Sequence, residues 1–225
     1  MIAKQAPKRL SFPIYNIGLG VNAAWIGTLF SLMRIWDAFT DPLIGHLSDR
    51  CSSRYGRRKP FILVGAILTG VFFAAIWLLP RGLSPGGYIV YLSITLLLFY
   101  TALTIFSVPW YAMGYELSDD YDERTKLFAF PSFFSPISQI AVGWLYFLTQ
   151  RTFFEDTVEG ARWVGSITGL LLIVFGLLPV LFVKEREVAE VRPLATPRKK
   201  PGFFKSLRQT MTCKPFLMIS LTISG

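Results

Sequence analysis

Cysteine and histidine are almost missing from this chain: Cys51 and Cys213 stand far apart in basic segments, and His46 is alone. That leaves no disulfide framework and no metal-ligand spacing. No nucleophile elbow, Walker loop or paired-histidine zinc motif occurs either, so nothing points to a hydrolase or a nucleotide-driven enzyme. Charge is the second scarcity. Asp, Glu, Lys and Arg make up 16% of the 225 residues, where soluble domains carry about 25%. With 52% hydrophobic residues, there is too little polar material to clothe a water-facing surface. A soluble enzyme domain, a disordered tail and a disulfide-stapled module are all excluded. What remains is a polytopic membrane protein.

A helix needs about 20 apolar residues to cross a bilayer. Four uncharged runs reach that length: Phe61–Leu79, Tyr88–Tyr115, Leu127–Gln150 and Trp163–Val183. Pro109, Pro131, Pro136 and Pro179 lie inside them, which membrane helices tolerate when neighbours satisfy the freed carbonyls. None has the cleavage pattern of a signal peptide. The N-terminal region reads two ways. Hydropathy alone draws a span at Leu10–Met33, whereas Trp25–Leu47 reads as a helix with Arg34, Asp37 and Asp41 on one stripe. In the second case only Leu10 to Asn22 remain before it, about 20 Å of helix at 1.5 Å per residue, short of a 30 Å core. That first element, containing Asn16-Ile-Gly-Leu-Gly20, is then clipped or re-entrant.

The formal charge of +9 is a topology signal. Loop 50–59 carries five Lys/Arg, loop 117–126 two and segment 184–214 nine, against one in 80–87 and two in 151–162. By the positive-inside rule the basic set faces the cytoplasm. The same residues sit in short loops with no aromatic-interleaved soluble module, so no nucleic-acid partner is expected. Three domains follow: a transmembrane bundle of five or six spans over 10–183, a basic cytoplasmic linker over 184–215, and the start of a seventh span over 216–225. In the linker, Phe203, Phe204, Leu207 and Met211 alternate with Lys205 and Arg208, the pattern of a short amphipathic helix on anionic lipid.

Charges within a span are expensive and point to function. Asp37 and Asp41, four apart, project from one helix face, with Arg34 on the same stripe. Two carboxylates that close repel, which favours a cation between them or a proton on one of the pair. The alternative is a salt bridge with Arg34 that only locks packing. Thr101, Thr104, Ser107, Ser135, Ser138 and Gln139 are the other span polar groups, and Ser and Thr there mostly bond their own helix. Trp36, Trp110 and Tyr111 lie close to these positions, and aromatic faces with a polar edge suit a sugar-like ligand. His46 reads as a packing residue. An intramembrane acid/base enzyme needs its carboxylates on facing helices; here both are on one.

The stretch WDAFTDPLIGHLSDRCSSRYGRRKPF resembles the signature of the glycoside–pentoside–hexuronide:cation symporters of the major facilitator superfamily. VPWYAMGYELSDDYDERTKL, at 108–127, is similar to that family's second signature, and GFFKSLRQTMTCKPF to its central cytoplasmic helix. The resemblance runs from about Asn16 to the last residue. It implies an all-α polytopic membrane protein, the N-terminal six-helix half of the superfamily's twelve-helix fold, with an incomplete first helix. It implies no cofactor and a coupling ion, Na⁺ or H⁺, held by Asp37 and Asp41 with Thr40 and Thr104. Thr40 stands where the family's melibiose permease has an asparagine. Substrate contacts fall to Trp36, Ser107, Tyr111 and Ser132. Ser107 replaces that permease's sugar-binding aspartate, Ser132 its arginine and Tyr111 a tryptophan, so a melibiose-type galactoside site is not expected.

GHLSDRCSSRYGRRK also resembles the superfamily loop between the second and third helices, which implies a cytoplasmic latch of Asp49, Arg54 and Arg58 with Glu116 and Arg124. The expectation is therefore a plasma-membrane (bacterial inner-membrane) protein with cytoplasmic basic loops. It would be a fragment or half of a cation-coupled symporter for a sugar or glycoside. Its partners would be a sugar-like small molecule, membrane lipid and a C-terminal six-helix half, covalent or separate. The alternatives are a lipid or amphiphile transporter on the same fold and an inactive truncated membrane subunit.

Overall fold

The computed structural model describes residues 2–183 apart from 52, 54, 118 and 119, and every element among them is helical. The expected linker 184–215 and seventh span 216–225 lie outside the described residues. The chain starts with α1 (Ile2–Ser11), which widens into a π-helical turn over Phe12–Gly18. Pro13, in the first turn of that segment, has no N–H to keep the α-helical ladder regular. The first helix thus begins well before Leu10. Ala6, Leu10, Ser11, Ile14 and Tyr15 are buried while Lys8 and Arg9 face out, an amphipathic stripe at helical spacing.

Asn16–Gly20 is the turn that ends this element. Gly20 adopts φ 68°, a left-handed conformation that glycine takes without steric cost. The N–H of Gly20 donates to Asn16 O at 3.1 Å and the Asn16 side-chain amide donates to Val21 O at 2.7 Å. Asn22 then caps α2 (Ala23–Arg50), its Oδ1 accepting from the Ala24 N–H at 2.8 Å. A single span over Leu10–Met33 is ruled out by this turn. The helix expected at Trp25–Leu47 is present and extends a residue pair or more beyond each limit.

Among the described residues three helices are long and apolar enough to cross a bilayer: α3 (Lys59–Trp77), α4 (Pro85–Glu116) and α7 (Thr157–Phe182). They pack through small residues. A Cβ on Gly169 would lie 2.6 Å from Gly70 O, one on Gly176 2.9 Å from the Ala66 Cβ, and one on Gly65 would run into the backbone of Phe106. Such contacts let membrane helices approach backbone to backbone. Beside this seam sits an aromatic core. Phe73 meets Trp77 and Phe99 edge-on at 6.1 and 5.9 Å, and the buried Tyr15 hydroxyl donates to Ile76 O at 2.7 Å.

The uncharged run Leu127–Gln150 is not one helix. It is divided between α5 (Tyr121–Phe133) and α6 (Ser135–Thr149) at Phe134. Pro136, in the first turn of α6, cannot donate into a continuous ladder and disfavours helical backbone before it. Asp120 caps α5 through the N–H groups of Asp122 and Glu123. No described side chain of α5 is buried, so this helix lies outside the core, whereas α6 packs on α1 and α7.

Candidate functional site

The buried stripe of α2 runs Ile26, Leu29, Phe30, Met33, Thr40, Ile44 and Ser48. Asp37 and Asp41 lie on or beside that stripe, Asp37 partly buried and Asp41 exposed, so helical periodicity alone carries both carboxylates to one face. They open into a cavity of about 560 Å³ between α1, α2, α3, α4, α6 and α7, within the range of small-molecule sites. Thr104 of α4, 3% exposed, donates from its hydroxyl to Asp41 Oδ1 at 3.0 Å. The Asp37 side chain is 13% exposed; Lys4 Nζ lies 3.9 Å from its Oδ2, and its Oδ1 is buried without a hydrogen-bond donor. Among the described residues Arg34 makes no ion pair within 4 Å of either carboxylate.

The expected substrate residues divide. Ser107 and Tyr111 line the cavity, and Trp110 between them stacks on Phe106 at 17° while meeting Tyr111 edge-on. Trp36 does not line it: its indole N–H donates to the Thr101 hydroxyl at 3.0 Å. Ser132 is exposed on α5, away from the lining. Thr40, buried, turns its hydroxyl back to Trp36 O at 3.1 Å and so serves its own helix. Two polar residues of the lining, Lys4 and Thr69, were not anticipated, and Ser138 was counted only among the polar groups of the spans. Lys4 was hidden because the charges around it depress the hydropathy of α1.

A second charged cluster sits where α2 and α4 end and α3 begins. Arg58, 6% exposed at its side chain, reaches Asp49 Oδ1 at 3.0 Å and Glu116 Oε2 at 2.7 Å. Arg57 donates to Glu116 Oε1 at 2.8 Å and stands 3.9 Å from Asp49. Both acids lie at helix C-termini and both arginines at a helix N-terminus, each opposed by its own helix dipole. Tertiary pairing, not local helix energetics, accounts for their placement. Arg57 is an additional member. Arg54 lies outside the described residues, and for Arg124 only its place in the first turns of α5 is described. Among the described residues no group of His, Cys, Asp and Glu could hold a metal ion of the usual multi-ligand kind.

Apolar helices around a cavity lined by a few inward carboxylates and hydroxyls define an integral membrane protein of the transporter class. The model of one family, described as MFS/sugar transport protein, matches residues 12–224, and the chain belongs to that family, a family of transporters rather than enzymes. It is 37% identical over 204 residues to an uncharacterized symporter of Synechocystis, covering 88% of this chain and 35% of that protein. It is 33% identical to YagG of Escherichia coli, provisionally named a glycoside/cation symporter, over 84% of this chain and 41% of YagG. It is 28% identical to the inner membrane symporter YicJ of the same organism, over 81% and 39%. The chain therefore spans between a third and a half of the length of these relatives.

Proposed function

We propose that this chain contributes one half of a cation-coupled symporter for a sugar or glycoside, with Asp37 and Asp41 taking Na⁺ or H⁺. The observation that carries this is the pair of carboxylates directed by one helix into a cavity that also presents the Thr104 hydroxyl, Ser107 and the Trp110–Tyr111 pair. Hard carboxylate and hydroxyl oxygens suit a monovalent cation or a proton, and aromatic edges suit a sugar ring. The Asp49–Arg58–Glu116 network acts as the cytoplasmic latch, with the basic loops on the cytoplasmic side of a plasma membrane. Alternating access works by motion of one helical repeat against another around a midplane site. A second six-helix half, covalent or separate, supplies the facing wall.

The test is uptake of a panel of labelled sugars and glycosides into vesicles holding this chain together with a C-terminal half, with and without sodium and proton gradients. Gradient-driven uptake that disappears in Asp37→Asn is expected. Uptake indifferent to both gradients, or unchanged by that substitution, sinks the coupling role. A second reading, an amphiphile in place of a sugar, is favoured by one feature: Phe106, Val108, Leu172, Phe175 and Pro179 form an apolar flank of the cavity. Lysolipids belong in the same panel for that reason.

A further inference from the structure

We infer that Lys4 is a built-in counter-ion of the empty cation site and competes with the incoming cation for Asp37. The inference rests on the reading of Asp37 and Asp41 as that site. Among the described residues Lys4 is the one cationic side chain within 4 Å of either carboxylate, with Nζ 3.9 Å from Asp37 Oδ2. The separation is beyond a hydrogen bond, so the ammonium neutralises without being clamped. Its side chain is 51% exposed and has a four-carbon stem that lets it swing away. The backbone beneath it is fixed: Ala6, Leu10 and Ser11 are buried, and Arg9 Nη2 donates to Gln139 Oε1 of α6 at 2.8 Å.

The two carboxylates differ in what satisfies them. Asp41 receives the Thr104 hydroxyl, while Asp37 Oδ1 is buried with no donor. A symporter must rearrange empty as well as loaded, and bare charge against hydrocarbon is costly in the empty step. A tethered ammonium supplies the missing positive charge there. When a cation arrives it must share Asp37 with Lys4 or displace it, so Lys4 lowers apparent cation affinity. The site then fills only when the outside cation is concentrated, and it empties readily on the other side.

The experiment uses the 225-residue chain assembled with a C-terminal half in detergent micelles, titrated with NaCl and separately LiCl against choline chloride at constant ionic strength. Cation binding is read from tryptophan emission, Trp110 lining the cavity, and by calorimetry. Removing the ammonium in Lys4→Met should tighten binding about three- to fivefold, the upper end of the scale of a partly exposed ion pair. Lys4→Arg should stay within about twofold of the unsubstituted chain, by the same reasoning. Asp37→Asn should abolish the response with or without Lys4→Met. Equal or weaker affinity in Lys4→Met, with helical content unchanged, overturns the inference and leaves the cation site standing. Lys4→Gln serves as the neutral variant if Lys4→Met does not fold. No Asp37-dependent response to either salt in any variant overturns the cation site and the inference together.

Discussion

Arg58 bridges two acids from two helices, and its removal should be the most damaging single change in the charged cluster. Its side chain is 6% exposed, while Asp49 and Glu116 are 50% and 44% exposed. A charge-assisted hydrogen bond is worth about 1.5–3 kcal/mol, and Arg58 donates one to Asp49 while facing Glu116 as an ion pair at 2.7 Å. The two contributions would not sum, because water can reach both half-exposed acids and Arg57 still holds Glu116 at 2.8 Å. Arg58→Met should therefore cost about 2–3 kcal/mol, a shift of about thirty- to a hundred-and-fiftyfold in the equilibrium that holds these helix ends together. Glu116→Gln, which weakens contacts to both arginines, should fall near the lower bound. Asp49→Ala leaves Arg58 paired with Glu116 and should cost about 1 kcal/mol, nearer an exposed ion pair. The assay is unfolding in mixed detergent micelles, together with maleimide labelling of Cys51 in a Cys213→Ser background. Cys51 follows directly on α2 and is free and partly exposed, so it reports separation of these helix ends. Labelling should quicken in the order Asp49→Ala, Glu116→Gln, Arg58→Met. Identical rates in all three, or Asp49→Ala as the largest effect, would refute the assignment of Arg58 as the hub.

Further consequences can be measured. Asp37→Asn and Asp41→Asn should each abolish gradient-driven accumulation in a protein holding this half while leaving insertion and substrate exchange in place, checked by counterflow in vesicles. Thr104→Val should weaken cation binding about fivefold or more, since one charge-assisted hydrogen bond to Asp41 is lost; calorimetry with NaCl reads it. Ser107→Ala and Tyr111→Ala should raise the KM for substrate, whereas Ser132→Ala, outside the cavity lining, should not; the reverse pattern would move the binding site to α5. Gly169→Leu, placing a side chain where Gly70 O lies 2.6 Å from the Cβ position, should destabilise by about 3 kcal/mol or more and be visible as aggregation on size exclusion.

The long apolar helices were legible because composition alone separates α3, α4 and α7 from their loops, and helical spacing put Asp37 and Asp41 on one face. Features set by tertiary contact were not. α1 carries Lys8 and Arg9 on its outer side and Lys4 at the cavity, so its mean hydropathy conceals the buried Ala6–Leu10–Ile14 stripe. The division at Phe134 hangs on where two prolines fall in the helical ladder, and a count of apolar residues is blind to it. Lys4 reaches Asp37 only because α1, packed on α6, brings it to the shared cavity, and Arg57 shares Glu116 with Arg58 only because α3 starts where α4 stops. Thr40 was placed in the site by the family resemblance and Trp36 by its closeness to the polar positions. The structure gives both of them other partners: Thr40 turns to its own helix, and Trp36 bonds the Thr101 hydroxyl.

The glycine seam also limits how this molecule can change shape. Gly70 lies against Gly169 and Ile173, Ala66 against Gly176, and Trp77 against Gly165, so α3 and α7 mesh like two keyed shafts. Sliding one past the other by a single residue would drive side chains into backbone at each tooth. Rotation of the pair as a unit leaves every tooth engaged. Any widening of the cavity must then come from its α1, α2, α4 or α6 walls, with the α3–α7 pair serving as the fixed post against which they swing.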